Sequence, residues 1–325
     1  MGLKSIIAKI AARKLQPRLA SIESRLNALE ALGTDSAERK IESQHLSMEG
    51  HLNATGALGG VEIPRALHPL VSSEEDPRFH RENLISTLGN SGLCLEIGAY
   101  FHPIVKGNNV RYFDVFDTEE LRRRAELDPN PFVRPESIPE VHYSDLNGDI
   151  STIDQKFSEV VSSHCIEHQP DLIGHLEKVY DLLESGGRYV VIVPDKRFCF
   201  DHFNPISTIG DVLQASLERR DRHSLASIIR MIADTTHNDP ARHWQGDHAD
   251  ASYQSEYVQK IQNAVTAYEQ ANGAYIDCHA WYFTPASFAH ICDTLIAMKK
   301  IRLQLEGIGD TRTNTLEFTA VFRRL

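Results

Sequence analysis

Residues 159–195 read EVVSSHCIEHQPDLIGHLEKVYDLLESGGRYVVIVPD. The run Glu159–Ser163 predicts a strand, and the apolar spacing over Asp171–Leu183 predicts a helix. Ser185-Gly186-Gly187 marks a turn before a second strand at Arg188–Val193. Strand, helix and strand in succession are the pattern of a parallel sheet with helices on both faces.

The alternation continues on either side. Strands are expected at Leu93–Ile97, at Val110–Val115 and, short, near Val141–Tyr143. A helix should start near Thr118, with Asp117 as its cap. Residues 205–275 are polar and mostly helical, an insertion on the sheet. Leu303–Glu306 and Leu316–Phe322 then alternate as a closing hairpin. The fold class predicted for 79–325 is α/β, a Rossmann-like doubly wound sheet of seven strands with a helical insertion.

Residues 1–48 differ from this body. Ile6, Ile7 and Ile10, then Leu15, Leu19, Ile22, Leu26 and Leu29, stand at helical spacing, the second group as a short coiled-coil seam. One reading is therefore a homo-oligomer through an N-terminal helix. Lys4, Lys9, Arg13, Lys14 and Arg18 support another, a basic amphipathic helix over residues 1–25 lying on the anionic inner face of a membrane. A solvated helix is the plain alternative. Ile6 stands where a myristoylation signal wants Ser or Thr. Residues 49–78, rich in Gly, Ser and Pro, read as a linker.

The chain has 325 residues, 41% hydrophobic and 24% charged, enough to bury a sizeable core. Acidic residues outnumber basic ones 45 to 34, for a formal charge of -11, which makes nucleic acid a poor partner. The five cysteines include no CxxC pair, so neither a disulfide framework nor a zinc knuckle is expected, and a reducing, cytoplasmic compartment is predicted. No apolar run approaches the roughly 18 residues of a membrane span, and no secretory signal is legible.

In an open doubly wound sheet, ligands bind beyond the carboxyl ends of the strands. After the first strand comes Glu96-Ile97-Gly98-Ala99-Tyr100, with a single glycine where a dinucleotide site needs GxGxxG, so a nicotinamide enzyme is disfavoured. Asp114, ending the second strand, can accept both hydroxyls of a ribose, unless it only caps the next helix. Asp145 and Leu146 follow the third strand and can grip an adenine. The fourth ends in Ser163-His164-Cys165-Ile166-Glu167-His168.

These motifs resemble the class I S-adenosylmethionine-dependent methyltransferases, in the branch related to the ubiquinone/menaquinone type. The similarity spans about residues 90–200. It rests on Glu167-His168, then Leu182-Leu183-Glu184-Ser185-Gly186-Gly187, then Pro194-Asp195, with Phe200-Asp201, His279-Ala280-Trp281-Tyr282-Phe283-Thr284-Pro285 and Glu317-Phe318 as further echoes. The resemblance implies S-adenosylmethionine as cofactor. By the same resemblance Glu96, Gly98 and Tyr100 lie along its methionine part, Asp114 takes the ribose, Asp145 and Leu146 take the adenine, and His164 faces the methyl group. Tyr100 and His102 stand where the family usually has glycines, and Phe157-Ser158 stands where Phe-Asp is common.

Methyl transfer requires an aligned nucleophile, and a base where the acceptor is a hydroxyl. Histidine suits that role near neutrality, and the catalytic candidates are His164, Asp195 and His243. In the insertion, Trp244 would stack on a sugar or ring and Arg242 would take a phosphate or carboxylate. His243, His248 and Asp247 could instead hold a divalent metal, or with His237 form a surface loop, but their spacing fits no established zinc pattern and no metal is assigned. Glu167-His168 reads as structural, and His279 and Trp281 read as packing residues. The resemblance implies O-methylation of a small-molecule or glycan acceptor, in bacterial cell-surface polysaccharide or lipid-linked sugar assembly. A non-catalytic adapter on the same fold is the alternative.

Overall fold

The computed structural model describes residues 76–249, 253 and 256–325. The arm over 1–48 and the linker as far as residue 75 lie outside the described residues, and with them the coiled-coil and membrane readings. Pro77–Phe79 form a short 3-10 turn capped by Asp76, and Phe79 is buried, so the body has begun by this point.

The seven strands are β1 (Cys94–Ile97), β2 (Val110–Asp114), β3 (Tyr143–Ser144), β4 (Phe157–Ser163), β5 (Leu183–Pro194), β6 (Gln304–Gly309) and β7 (Glu317–Arg323). They form one sheet in the order β3-β2-β1-β4-β5-β7-β6. The pairs β1–β2, β1–β4, β2–β3 and β4–β5 are parallel, and β7 runs antiparallel to both β5 and β6. An antiparallel strand wedged between the fifth and sixth separates this order from the parallel 3-2-1-4-5-6 of dinucleotide-binding sheets. The switch point falls between β1 and β4, where chain connections depart in opposite directions.

Both faces of the sheet are covered, which is why β5 reads as a continuous apolar run. Tyr189, Val191 and Val193 point into the larger core, while Val190 points to the other face with Val161 and Val321. Helix α1 (Arg81–Thr87) helps to cover that second face through Leu84. Helix α2 (Thr118–Leu127) starts at Asp117, whose side chain accepts from the Glu120 amide. Helix α3 (Leu172–Leu182) buries Leu172, Leu176 and Val179 along one stripe of the larger core. Within 205–275 lie α4 (Ile209–Glu218), α5 (Leu225–Ala233), α6 (Pro240–Trp244) and α7 (Tyr257–Ala271). Val212 and Ala215 make α4 part of the main core, whereas α5 and α7 meet around Ile228, Ala264 and Cys278. Helix α8 (Pro285–Ala297) opens with a Thr284–Ser287 capping box and Pro285 in its first turn, and buries Phe288, Ile291, Cys292 and Leu295. No helix among the described residues is long and apolar enough to cross a membrane.

Several bounds shift by a few residues, with β4 starting at Phe157 and β6 running on to Gly309, and one differs in kind. Strand β5 starts at Leu183, directly after α3, and the Gly-Gly pair sits inside it. Phe157 pairs with Leu183 and Glu159 with Arg188, so Glu184–Gly187 bulge out of the ladder. Gly186 adopts φ +76, and a Cβ on Gly187 would stand 2.9 Å from the Glu184 carbonyl oxygen and 3.1 Å from that of Ser158. Backbone cannot yield as a flexible side chain does. Gly187→Ala should lower unfolding free energy by about 1–3 kcal/mol in urea titration; unchanged stability would show that the bulge relaxes freely.

Candidate functional site

The switch crevice opens beyond the carboxyl ends of β1 and β4. Gly98 turns at φ +73, and a Cβ there would meet Cys165 at 3.6 Å, which brings the two loops side by side. The Glu96 carboxylate lies beneath the first loop and accepts the amides of Ile104 (2.8 Å) and Val105 (3.0 Å), shaping the backbone that follows Gly98. Burial pushes its carboxyl up to about 7, against the pull of those two amides. Tyr100 sits at φ +41, the left-handed region that glycine tolerates best. Its ring packs with Phe101 and Phe116 against the α2 cluster of Leu121 and Ala125.

Asp114, at the end of β2, accepts the Val115 amide at 2.8 Å, and burial raises its carboxyl above the ordinary range. Asp145 caps its own loop, accepting from Asn147 (2.9 Å) and Asp149 (3.0 Å), and the Leu146 side chain beside it is exposed. Glu96, Gly98, Tyr100 and Asp114 thus share the β1–β2 end of the crevice, with Asp145 and Leu146 one strand further out.

On the β4 side, His164 leaves the strand at φ +49 with its side chain 38% exposed. Its Nε2 donates to Glu317 at the start of β7 (2.8 Å). Burial works against the charged ring, but that bond and the charges of Glu167 and Glu317 outweigh it and raise the imidazole above its ordinary value. Arg81 pairs with the other Glu317 oxygen at 2.6 Å.

The remaining candidates lie elsewhere. Asp195 is fully buried and saturated: it pairs with Arg197, accepts from Thr311 (2.7 Å), and its segment bridges to Phe283. This carboxylate holds the turn after β5 and does not face an acceptor. His243 is buried, with Nε2 on the His237 carbonyl (3.1 Å) and Nδ1 on His248 (3.0 Å); burial lowers it to about 4. Trp244 stacks on Phe198 at 4.0 Å and donates to the Thr315 carbonyl, so one face of its ring is already covered. Arg242 pairs with Asp247 at 2.7 Å, which removes that aspartate from the histidines. In this group the histidines whose ligand atoms approach one another are His202, His243 and His248.

Glu167-His168, expected as structural, and His279, expected as a packing residue, meet in a second constellation. Glu167 is fully buried between His164, His168 and His279, while His168 and His279 bond outward to Asp277 (3.0 Å) and Asp201 (2.6 Å). Trp281 donates to the Gln169 carbonyl at 2.7 Å and closes the floor. The signal available was the spacing His164-x-x-Glu167-His168. Two surface hollows, of about 430 and 490 Å³, lie at the opposite end of the sheet around Arg188 and Arg323, remote from these groups.

No protein-family model matches the chain. No curated protein matches it either. Among solved structures it is similar to the glycopeptide N-methyltransferase MtfA complexed with sinefungin (23% identity over 35% of this chain and 52% of that one, TM-score 0.26). It is also similar to the CcbJ methyltransferase from Streptomyces caelestis (14%, 74% and 92%, 0.35) and to an S-adenosylmethionine dependent methyltransferase from Mesorhizobium loti (11%, 75% and 96%, 0.35). The chain spans about half the length of the first of these. At such identities and scores the likeness carries no argument about activity, and the strand order alone establishes the fold.

The raised Glu96 carboxyl has a measurable sign. A folded-state value near 7 against an ordinary 4.5 means that the folded protein holds this proton more tightly, so the contribution is lost as pH rises from about 4.5 through 7. The unfolding free energy of the native protein, from urea titration, should therefore fall relative to Glu96→Gln between about pH 4.5 and 7, by at most about 1.4 kcal/mol per pH unit. Parallel pH profiles would place Glu96 in water.

Proposed function

We propose that this chain is an S-adenosylmethionine-dependent methyltransferase acting on a hydroxyl of a small-molecule or glycan acceptor, such as a cell-surface or lipid-linked sugar. The observation that carries the reading is the charge of the switch crevice. Its β1–β2 end has Asp114 at the strand end and Glu96 buried beneath the loop, both acids raised by burial, beside one glycine turn. A pyrophosphate would meet like charge there without the amide cradle of a glycine-rich loop. A ligand carrying a sulfonium and an ammonium group relieves both acids, because a nearby cation favours the ionised carboxylate.

The residues present fit that ligand. Gly98 lets backbone approach the methionine part, with Tyr100 turned aside onto the α2 cluster. Asp114 is the ribose acceptor, and Asp145 with Leu146 is the adenine end. The sulfonium supplies an electrophilic methyl, so the chain need only align the acceptor and remove its proton. His164 is the base of this proposal. Its Nε2–H is fixed on Glu317, which orients the ring and stabilises the imidazolium that forms on taking the proton. Asp195 holds Arg197 and the β5 turn, and His243 stays inside the insertion.

Calorimetric titration with S-adenosylmethionine, its demethylated product and NADH tests the reading. The first two should bind in the micromolar range and NADH should not. Asp114→Ala should weaken binding at least tenfold, whereas His164→Ala should keep binding and lower turnover by about 10²–10⁴. No binding of either adenosyl ligand would overturn the proposal. Binding without transfer to any acceptor would favour the adapter alternative.

A further inference from the structure

Glu167 presents a physical problem that the methyl-transfer chemistry does not use. The side chain is fully buried, and neither carboxylate oxygen has a hydrogen-bond partner among the described residues. A carboxylate stripped of water in this way is found paired, hydrogen-bonded or coordinating a metal. Its neighbours are His164 Nδ1, His168 Nε2 and His279 Nε2, each 3.8 Å from Oε1. That distance is too long for a hydrogen bond. Donors sharing one ion stand this far apart: two atoms each about 2.1 Å from a metal are about 3.4 Å apart at the tetrahedral angle and at most about 4.2 Å apart. The ligand atoms of Glu167, His168 and His279 all lie within 4.8 Å of one another.

The outer bonds point the same way. His279 donates Nδ1–H to Asp201 at 2.6 Å and His168 donates Nδ1–H to Asp277 at 3.0 Å, leaving each Nε2 lone pair turned toward Glu167. A carboxylate behind the far nitrogen is how ligating histidines are oriented and made more basic. The backbone fixes the two segments together, since the Glu167 carbonyl accepts the amides of Ala280 (2.7 Å) and Trp281 (3.3 Å). Glu167, Asp201, Asp277 and Glu317 gather around three imidazoles, and with Arg81 paired to Glu317 a surplus of negative charge remains that a cation offsets.

We propose that Glu167, His168 and His279 bind one divalent transition-metal ion of the zinc type. His168 is 26% exposed and His164 38% exposed, so the side toward His164 is open to a further ligand. Three protein ligands with an open position are the pattern of a reactive metal site, and two imidazoles with one carboxylate suit zinc, iron or nickel over magnesium or calcium. The inference does not rest on the methyl-transfer reading. The second histidine group makes the contrast. His202 and His248 stack at 3.8 Å with their planes 10° apart, so their in-plane lone pairs run side by side instead of converging, and the group contains no carboxylate.

The test is metal uptake by the full chain after chelation and dialysis, with Zn²⁺ read by mass spectrometry and Co²⁺ by visible absorption. The native protein should take up about one equivalent, as a specific site does, and melt at higher temperature with metal. Glu167→Gln and His168→Ala should lose the stoichiometric site. Asp277→Asn should weaken it about 10- to 100-fold through the ring it orients. His248→Ala should bind as the native chain does. Far-UV circular dichroism of each apo variant separates lost ligation from lost folding, and if Glu167→Gln does not fold, His168→Ala and Asp277→Asn decide the question. Substoichiometric uptake by the native chain would overturn the proposal. So would binding that survives His168→Ala, or that disappears in His248→Ala alone.

Discussion

Between β1 and β4 the connections leave the sheet in opposite directions. That topological constraint organises the rest of the molecule. It exposes strand ends at one edge, and it lets two loops meet where Gly98 turns against Cys165. The loop geometry follows from two left-handed turns. Tyr100 and His164, on opposite sides of the crevice, both hold positive φ, a conformation costing a non-glycine residue on the order of 1–2 kcal/mol unless its surroundings fix it. At Tyr100 the fixing comes from ring packing against α2, and at His164 from the bond to Glu317.

Much of this architecture is legible in the sequence, because its period is local. The continuous apolar run of β5, the stripe of α3 and the alternation of β7 each report burial through nearest neighbours. Asp117 and its helix are readable for the same reason. Helix α8 carried a signal that goes easily unread, Thr284 followed by Pro285 at its start. The Gly-Gly bulge inside β5 is less accessible: the same glycines serve a turn or a bulge, and the choice is made by Ser158 on the neighbouring strand.

The candidate site divides along the same line. Residues placed by following a strand to its end, such as Glu96, Gly98 and Asp114, fall where that rule puts them, at the crevice. Asp195 obeys the same rule and yet is sealed, because the segment at Phe283 folds back beside it and Thr311 closes over its carboxylate. The histidine and carboxylate group is illegible for another reason. His164 and Glu317 are 153 residues apart, His168 and Asp277 are 109 apart, and Asp201 and His279 are 78 apart. No window of sequence holds such pairs together. They converge because the Glu167 turn and the segment after His279 share backbone hydrogen bonds.

The central claim is that the switch crevice, with the buried Glu96 and the half-buried Asp114, receives a cationic adenosyl ligand. A crystal structure of the full chain grown with S-adenosylhomocysteine tests it most directly. The account predicts the ribose hydroxyls on the Asp114 carboxylate, the amino-acid end against the Gly98 turn and the adenine beside Leu146. The ligand bound elsewhere on the molecule, or seated in the crevice with Asp114 out of its reach, would contradict it.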